Sequence, residues 1–309
     1  MKDVSGKTAF ITGGASGMGL GMATIFAQAG MKVIIADVRE AALSEAMKTF
    51  DNTNLAVQPI VLDVTNRARW VEAADEAEKH FGKIHVLALN AGVGVLGPMQ
   101  AATYKDWDYN LSVNVGGVVN GLVTFLPRML AHGEEGHVVT TSSTGGFSAV
   151  GGAGLYCTSK FAVAGMMESL ATDLKGTKIG ASVFFPGPVQ TSLGMTTHEV
   201  RPAHLQNETV AANIPGQRDA RPAPGYDTSL FMTKEEVGKR VLRGILRNDL
   251  FIMSHPEFKD GIVARNEALL RAIPDEKPHT ARAALVKQFG SLMYNPIYDT
   301  QTKVPAEDF

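Results

Sequence analysis

The chain has 309 residues, long for one average domain but within the range of a single large α/β domain. Hydrophobic residues make up 45% and charged residues 19%, enough to bury a sizeable core. Lys plus Arg, 29, nearly balances Asp plus Glu, 31, which leaves no electrostatic argument for nucleic acid or an anionic membrane surface as partner, and the single cysteine, Cys157, excludes an intramolecular disulfide and a cysteine-based zinc site.

In chain order, short aliphatic runs predict strands at 8–12, 33–36, 57–62, 86–89, 138–141, 181–185 and 250–253. Most are near-continuously apolar rather than alternating, as expected of strands covered on both faces in a parallel sheet. Helical patterns at 19–28, 68–81, 107–130 and 161–174 lie between them. Repeating β-α-β units predict an α/β fold, a doubly wound Rossmann-type domain with seven parallel strands. Residues 1–192 form the expected cofactor-binding and catalytic core. Residues 193–232, rich in Pro and Gly with little apolar periodicity, read as a long substrate loop or lid. The last helix and strand follow in 233–255. From Pro256 to 309 a helical extension is expected, with an amphipathic helix carrying Phe258, Ile262, Val263, Leu269, Leu270 and Ile273, a second helix over 281–293, and an extended, loosely held end from Tyr294. The N-terminal apolar stretch is too short for a signal peptide, and no run approaches the ~18 apolar residues of a membrane span, so a cytoplasmic location without a membrane partner is expected.

Three constellations carry chemistry. Thr12-Gly13-Gly14-Ala15-Ser16-Gly17-Met18-Gly19 follows a strand and opens a helix. Glycines there permit a tight turn and let backbone approach a pyrophosphate, which the helix N-terminus stabilises. The bland alternative is a tight turn without a ligand. Asp37 ends the second strand, 18 positions beyond Gly19. A carboxylate there accepts hydrogen bonds from both adenine-ribose hydroxyls and repels a 2′-phosphate, which favours NAD(H) over NADP(H). Arg39 stands close enough to reach a phosphate and argues weakly the other way. Tyr156-x-x-x-Lys160 places a phenol and an ammonium on one helix face. A nearby Lys⁺ favours phenolate and would bring the phenol toward working pH, so Tyr156 could pass a proton to a ketone or take one from an alcohol. Alone, that pair is common by chance. The histidines show no HExxH or similar spacing, so no metal is expected.

Taken together, Thr12-Gly-x-x-x-Gly17-x-Gly19, Asn90-Ala91-Gly92, Ser143 thirteen residues before Tyr156, Tyr156-x-x-x-Lys160 and Pro186-Gly187-Pro188-Val189-Gln190-Thr191 resemble the short-chain dehydrogenase/reductase family over about residues 5–192. The resemblance implies Tyr156 as general acid/base and Lys160 as the group that lowers its pKa and holds the nicotinamide ribose. It implies Ser143 as the hydrogen-bonding partner of the substrate oxygen and Asn114 as the residue ordering a relay water. It also implies cofactor contacts from Gly13, Ser16, Gly17, Met18, Gly19, Asp37, Asp63, Val64, Asn90, Ala91, Gly92, Pro186, Gly187, Val189 and Thr191. A homodimer or homotetramer is implied as well. Leu89 departs from the family's frequent Asn-Asn-Ala-Gly pattern.

The glycine-rich 144–155 stretch suggests an apolar, bulky substrate, with Phe147 as a contact. The 251–257 stretch and the helices after it resemble bacterial dehydrogenases acting on the benzylic alcohol of lignin-type aryl ethers. The expected activity is therefore NAD(H)-dependent interconversion of a secondary alcohol and a ketone. Reductases of bulky ketones or steroids with an NADP(H) preference are the alternative. A non-catalytic dinucleotide sensor on the same fold is another, but it has no need of Asn114, Ser143, Tyr156 and Lys160 together.

Overall fold

The computed structural model describes residues 1–207, 227–289 and 296–305. Its centre is one parallel sheet of strands β1 (Thr8–Thr12), β2 (Lys32–Asp37), β3 (Val57–Val61), β4 (Val86–Leu89), β5 (Gly136–Thr141), β6 (Ile179–Phe185) and β7 (Phe251–Met253), in the order β3-β2-β1-β4-β5-β6-β7. Each strand expected from the sequence is present, with ends differing by one or two residues. The continuous apolar runs are explained by two separate cores. Along β1, Phe10 faces one and Ala9 and Ile11 face the other. Pro59, which cannot donate to a ladder, sits on the edge strand β3.

Helices α1 (Gly17–Gln28), α2 (Glu40–Met47) and α3 (Arg67–Phe81) connect the first strands. The segment expected as one helix over 107–130 is α4 (Tyr104–Leu111), a π-helical turn (Ser112–Gly116) and α5 (Gly117–His132). This run is long and apolar enough to cross a membrane by composition, with mean hydropathy 1.2. Within the fold, however, Val118, Phe125 and Met129 belong to the core, where the Phe125 ring lies 4.7 Å from Phe10 and 6.1 Å from Trp70. Then come α6 (Gly154–Asp173), α7 (Leu193–Glu199), α8 (Lys234–Arg247), α9 (Lys259–Arg271) and α10 (Thr280–Gln288).

Three expectations need correction. The first part of 193–232 is not a featureless loop, since α7 and a 3-10 turn (Ala203–Leu205) lie within it; residues 208–226 fall outside the described residues. The helix α9 buries none of its residues: Val263, Leu269, Leu270 and Ile273 are all exposed. Of the end expected to be loosely held, Pro296–Thr300 forms a 3-10 turn that docks on the body, while 290–295 and 306–309 fall outside the described residues. There Tyr298 stacks on Phe251, its hydroxyl donates to Glu168 Oε2 at 2.5 Å, and Gln301 Oε1 accepts from Phe251 N at 2.8 Å.

The helices α1 and α8 touch backbone to backbone. A Cβ on Gly21 would stand 1.9 Å from Lys234 O, and one on Gly238 would stand 2.5 Å from Gly21 O. Helix propensity alone favours Ala over Gly by about 1 kcal/mol. Here the packing outweighs propensity. Gly238→Ala is expected to destabilise the fold by about 1–3 kcal/mol in urea unfolding, the usual cost of overpacking. A stabilised variant would contradict this account of the contact.

Candidate active site

In a doubly wound sheet the crevice opens at the carboxyl ends of the strands, where winding reverses. That reversal lies between β1 and β4, with β2 on the far side of β1. The loop after β1 turns through Gly13 (φ +64°) and Gly17 (φ +51°), both in the left-handed region that glycine tolerates. A Cβ on Gly19 would lie 2.1 Å from Gly13 O, so the loop can close on α1 only without one. The positive end of α1 then faces the crevice, suited to a phosphate.

Thr12, at the end of β1, ties the loops together. Its hydroxyl accepts from Asn90 N at 2.9 Å and Ala91 N at 3.0 Å. The Asn90 carboxamide is spent on the sheet edge, with Nδ2 donating to Thr12 O at 3.1 Å and Oδ1 accepting from Thr141 Oγ1 at 3.1 Å. Asp37 is 6% exposed at the end of β2 and pairs with Arg39, whose Nε reaches Oδ1 at 3.1 Å and whose Nη2 reaches Oδ2 at 3.3 Å and Ser16 Oγ at 2.9 Å. Asp63 caps its own turn, accepting from Thr65 N at 2.9 Å, and the Val64 carbonyl accepts from Trp70 Nε1 and Asn120 Nδ2, both at 2.9 Å. Gly13, Ser16, Gly17, Met18, Asp37, Asp63, Val64, Asn90, Ala91, Gly92 and Thr191 all line one cavity of about 550 Å³. Its two walls, phosphate-binding loop and terminal carboxylate, could hold a dinucleotide. Pro186 and Gly187 lie beside it in sequence but are tied elsewhere: Pro186 O accepts from Thr144 N at 3.0 Å and Gly187 N donates to Ser254 Oγ at 2.8 Å. Val189 bridges to Met232.

Asn114 and Lys160 adjoin this cavity through Gly92. A Cβ there would lie 3.1 Å from Asn114 Oδ1 and 3.4 Å from Lys160 Nζ. Asn114 projects from the π-helical turn, a widened turn that re-aims one side chain. Its Oδ1 accepts from Val93 N at 2.7 Å, while Nδ2 stands within 3.1 Å of Val93 O, Asn110 Oδ1 and Ser159 Oγ. Asn110 in turn donates to Leu155 O at 2.9 Å, just before Tyr156. Being fully buried, Asn110 is inaccessible to the glycosylation its Asn-x-Ser context would permit. Lys160 Nζ donates to Thr141 O at 2.9 Å and lies 5.5 Å from the Tyr156 ring centroid.

The adjacent serines divide two tasks. Ser142 Oγ donates to Lys160 O at 2.8 Å and so supports α6, whereas Ser143 Oγ accepts from Gly145 N at 3.1 Å and lies beside the Tyr156 phenol. Burial pushes the phenol up; Ser143 opposes this. Burial also brings Lys160 down from 10.5 to about 8. At both groups burial is the largest cause of the shift.

Phe147 is not in the cavity. Its ring packs 5.3 Å from Phe185 and 6.1 Å from Phe258. The glycines before it serve packing. A Cβ on Gly146 would lie 2.2 Å from Ser142 Oγ and 2.8 Å from Lys160 O. Sequence reasoning gave no separate role to Thr12 and Ser159, which lie inside motifs, or to Val93, which directly follows one. Among the described residues no three His, Cys, Asp or Glu side chains converge as a metal site would need.

The short chain dehydrogenase family profile matches residues 7–201, and the chain belongs to that family of oxidoreductases. A protein named C alpha-dehydrogenase from Sphingobium sp. (strain NBRC 103272 / SYK-6) is 36% identical over 291 residues, covering 91% of this chain and 92% of that protein. A crystal structure of a short chain dehydrogenase/reductase from Burkholderia phymatum in complex with NAD superposes with TM-score 0.81 at 32% identity, covering 90% of this chain and 99% of that one. The apo form of LigD from Sphingobium sp. strain SYK-6 gives TM-score 0.73 at 33% identity, covering 89% and 100%.

The buried ammonium makes a stability prediction. Lys160 has a lowered folded-state pKa, so the folded chain binds fewer protons than the unfolded one between about 8 and 10.5, and stability rises with pH through that window. Below about 8 the full cost of burying the charge is present. Lys160→Met should therefore be more stable at neutral pH, by about 2 kcal/mol once the orphaned Thr141 carbonyl is deducted. The gain should shrink as pH rises toward 10.5. Denaturant titrations across that range check it, and a variant less stable at pH 7 would refute it.

Proposed function

We propose that this protein is an NAD(H)-dependent oxidoreductase that interconverts a secondary alcohol and a ketone, on a bulky aromatic substrate such as the benzylic alcohol of a lignin-type aryl ether. The observation that carries the reading is the meeting of Ser143, Tyr156, Lys160 and Asn114 behind Gly92, at the edge of the cavity that Asp37 and the glycine loop line. The relative named C alpha-dehydrogenase supports the substrate class, and the NAD-bound neighbour supports the cofactor.

When bound, the nicotinamide supplies the two-electron acceptor or donor for the carbinol carbon. This chain's residues handle the proton and the charge. Tyr156 takes the hydroxyl proton in oxidation and returns it in reduction. Ser143 donates to the substrate oxygen where negative charge develops. Lys160, held by Thr141 O, places positive charge near the phenol and near the nicotinamide ribose. Bringing that ammonium to bear on Tyr156 in the closed site would counter the upward push of burial. Asn114 holds Val93 and α6 in register and orders the relay water. Asp37 accepts the adenine-ribose hydroxyls, and Asp63 with Val64 borders the adenine. We also propose that Val189 and Thr191 meet the carboxamide, and that the enzyme is a cytoplasmic homo-oligomer.

The test is a panel of aryl-ether benzylic alcohols and bulky ketones, each with NAD⁺/NADH and NADP⁺/NADPH, followed by nicotinamide absorbance. Turnover of a benzylic alcohol with NAD⁺ is expected. Tyr156→Phe should lower kcat by about 10²–10⁴-fold, and an undiminished kcat would end the Tyr156 assignment. Asp37→Ala should narrow the preference for NAD⁺ over NADP⁺. An unchanged ratio would count against the ribose role.

A further inference from the structure

The cavity has a roof, and its position is unexpected for a lid over the substrate. Thr196 from α7, with Val200, Pro202, His204 and Leu205 after it, lines the same cavity as Asp37 and Asp63. Those two carboxylates mark the adenosine end. The segment 193–207 thus spans the adenosine half of the cleft.

It is fastened on both sides. On the α4 side, Arg201 Nη2 stands 2.8 Å from Asp106 Oδ1 as a charge contact, and both side chains are 13% exposed. Asn207 Nδ2 donates to the same oxygen at 3.0 Å, and Lys105 Nζ donates to Gln206 O at 3.0 Å. The Arg201 guanidinium also lies 5.2 Å over the Tyr109 ring, and the Tyr109 hydroxyl donates to Thr197 O at 2.8 Å. Asp106 simultaneously caps α4, accepting from Thr103 N at 2.9 Å, so the anchor is a rigid helix end. On the ribose side Glu199 reaches Arg39 at 3.7 Å, and Arg39 is already bound to Asp37 and Ser16. A half-buried ion pair backed by neutral hydrogen bonds and an aromatic face holds more firmly than an exposed pair.

We infer that 193–207 is a strap over the adenosine half of the dinucleotide, latched by Arg201 on Asp106 and by Glu199 on Arg39, and that the cofactor leaves only when this strap lifts. The inference rests on the dinucleotide reading of the cleft. Arg201, Asp106 and Glu199 are positioning residues: they act on the cofactor through the segment they fasten. Because Arg39 belongs to both the ribose site and the Glu199 latch, filling the ribose site and closing the strap are coupled.

The test uses NADH release in stopped-flow and the affinity for ADP-ribose, a probe with the adenosine half and no nicotinamide. Arg201→Met is expected to raise the NADH dissociation rate and weaken ADP-ribose binding, each at least tenfold. Arg201→Lys, which keeps the charge against Asp106 but loses the planar contact with Tyr109, should fall between the parent protein and Arg201→Met. Glu199 is 61% exposed, so Glu199→Gln does not endanger folding; it should shift both quantities in the same direction by a few-fold. In the full chain, ADP-ribose should slow hydrogen exchange of amides 196–205. Unmoved dissociation and affinity in Arg201→Met and Glu199→Gln, or no slowing in 196–205 while ADP-ribose is bound, would overturn the strap alone. Failure of the parent protein to bind ADP-ribose would overturn the dinucleotide reading with it.

Discussion

The buried carboxamide of Asn114 is the interaction on which the site's geometry depends. A regular helix through 107–130 would keep its backbone bonds and carry this side chain elsewhere. The π-helical turn at Ser112–Gly116 instead sets it against the extended chain after β4, where it binds both backbone groups of Val93. An amide matches a peptide group donor for acceptor, which neither Asp nor Leu can do. The same side chain reaches Ser159 on α6, three residues past Tyr156 and one before Lys160. One residue therefore fixes the distance between the loop that borders the cavity and the helix that carries Tyr156 and Lys160. Asn110 adds a second tie to α6 at Leu155 O. Leaving any of these buried polar atoms unpaired would cost more than the bond itself contributes.

That rigidity lets the fold hold two groups that burial disfavours. The Tyr156 phenol and the Lys160 ammonium both lose hydration, and each is moved away from its charged form. Ser143 and the Thr141 carbonyl offset part of the loss but not all of it. Groups shifted by burial in this way are concentrated at functional sites. The sheet bears it because the strands beneath are dry and packed on both faces.

Much of this was legible in the sequence, for reasons that differ by element. The seven strands were readable because burial on both faces forces continuous apolar runs, and the phosphate loop because its backbone needs glycine at defined places. The site residues carried separable signals: a carboxylate ending a strand, a phenol and a lysine one helical turn apart. The misreadings have physical causes too. Gly145 and Gly146 looked like room for a substrate, yet they let α6 press against the turn after β5. Helix α7 was hidden because its stability comes from partners about 90 residues away, Tyr109 and Asp106, rather than from a periodic apolar face. The Tyr298 turn was hidden for the same reason.

At the β7 edge of the sheet, residues 298–302 pack against the strand. The strand β7 is three residues long and exposes the last ladder of the sheet. An open edge of that kind invites pairing with another chain. Here Gln301 takes the Phe251 N–H, Thr302 donates to Asp249, and Tyr298 covers the Phe251 ring, so side chains close what no strand closes. The helices α9 and α10 span from β7 to this clasp without burying a residue. Their apolar side chains do nothing for the core of this chain, while the clasp beyond them does. The extension therefore divides in two: the clasp covers the edge at β7, which β6 joins to the rest of the sheet, while the helices α9 and α10 bury no residue.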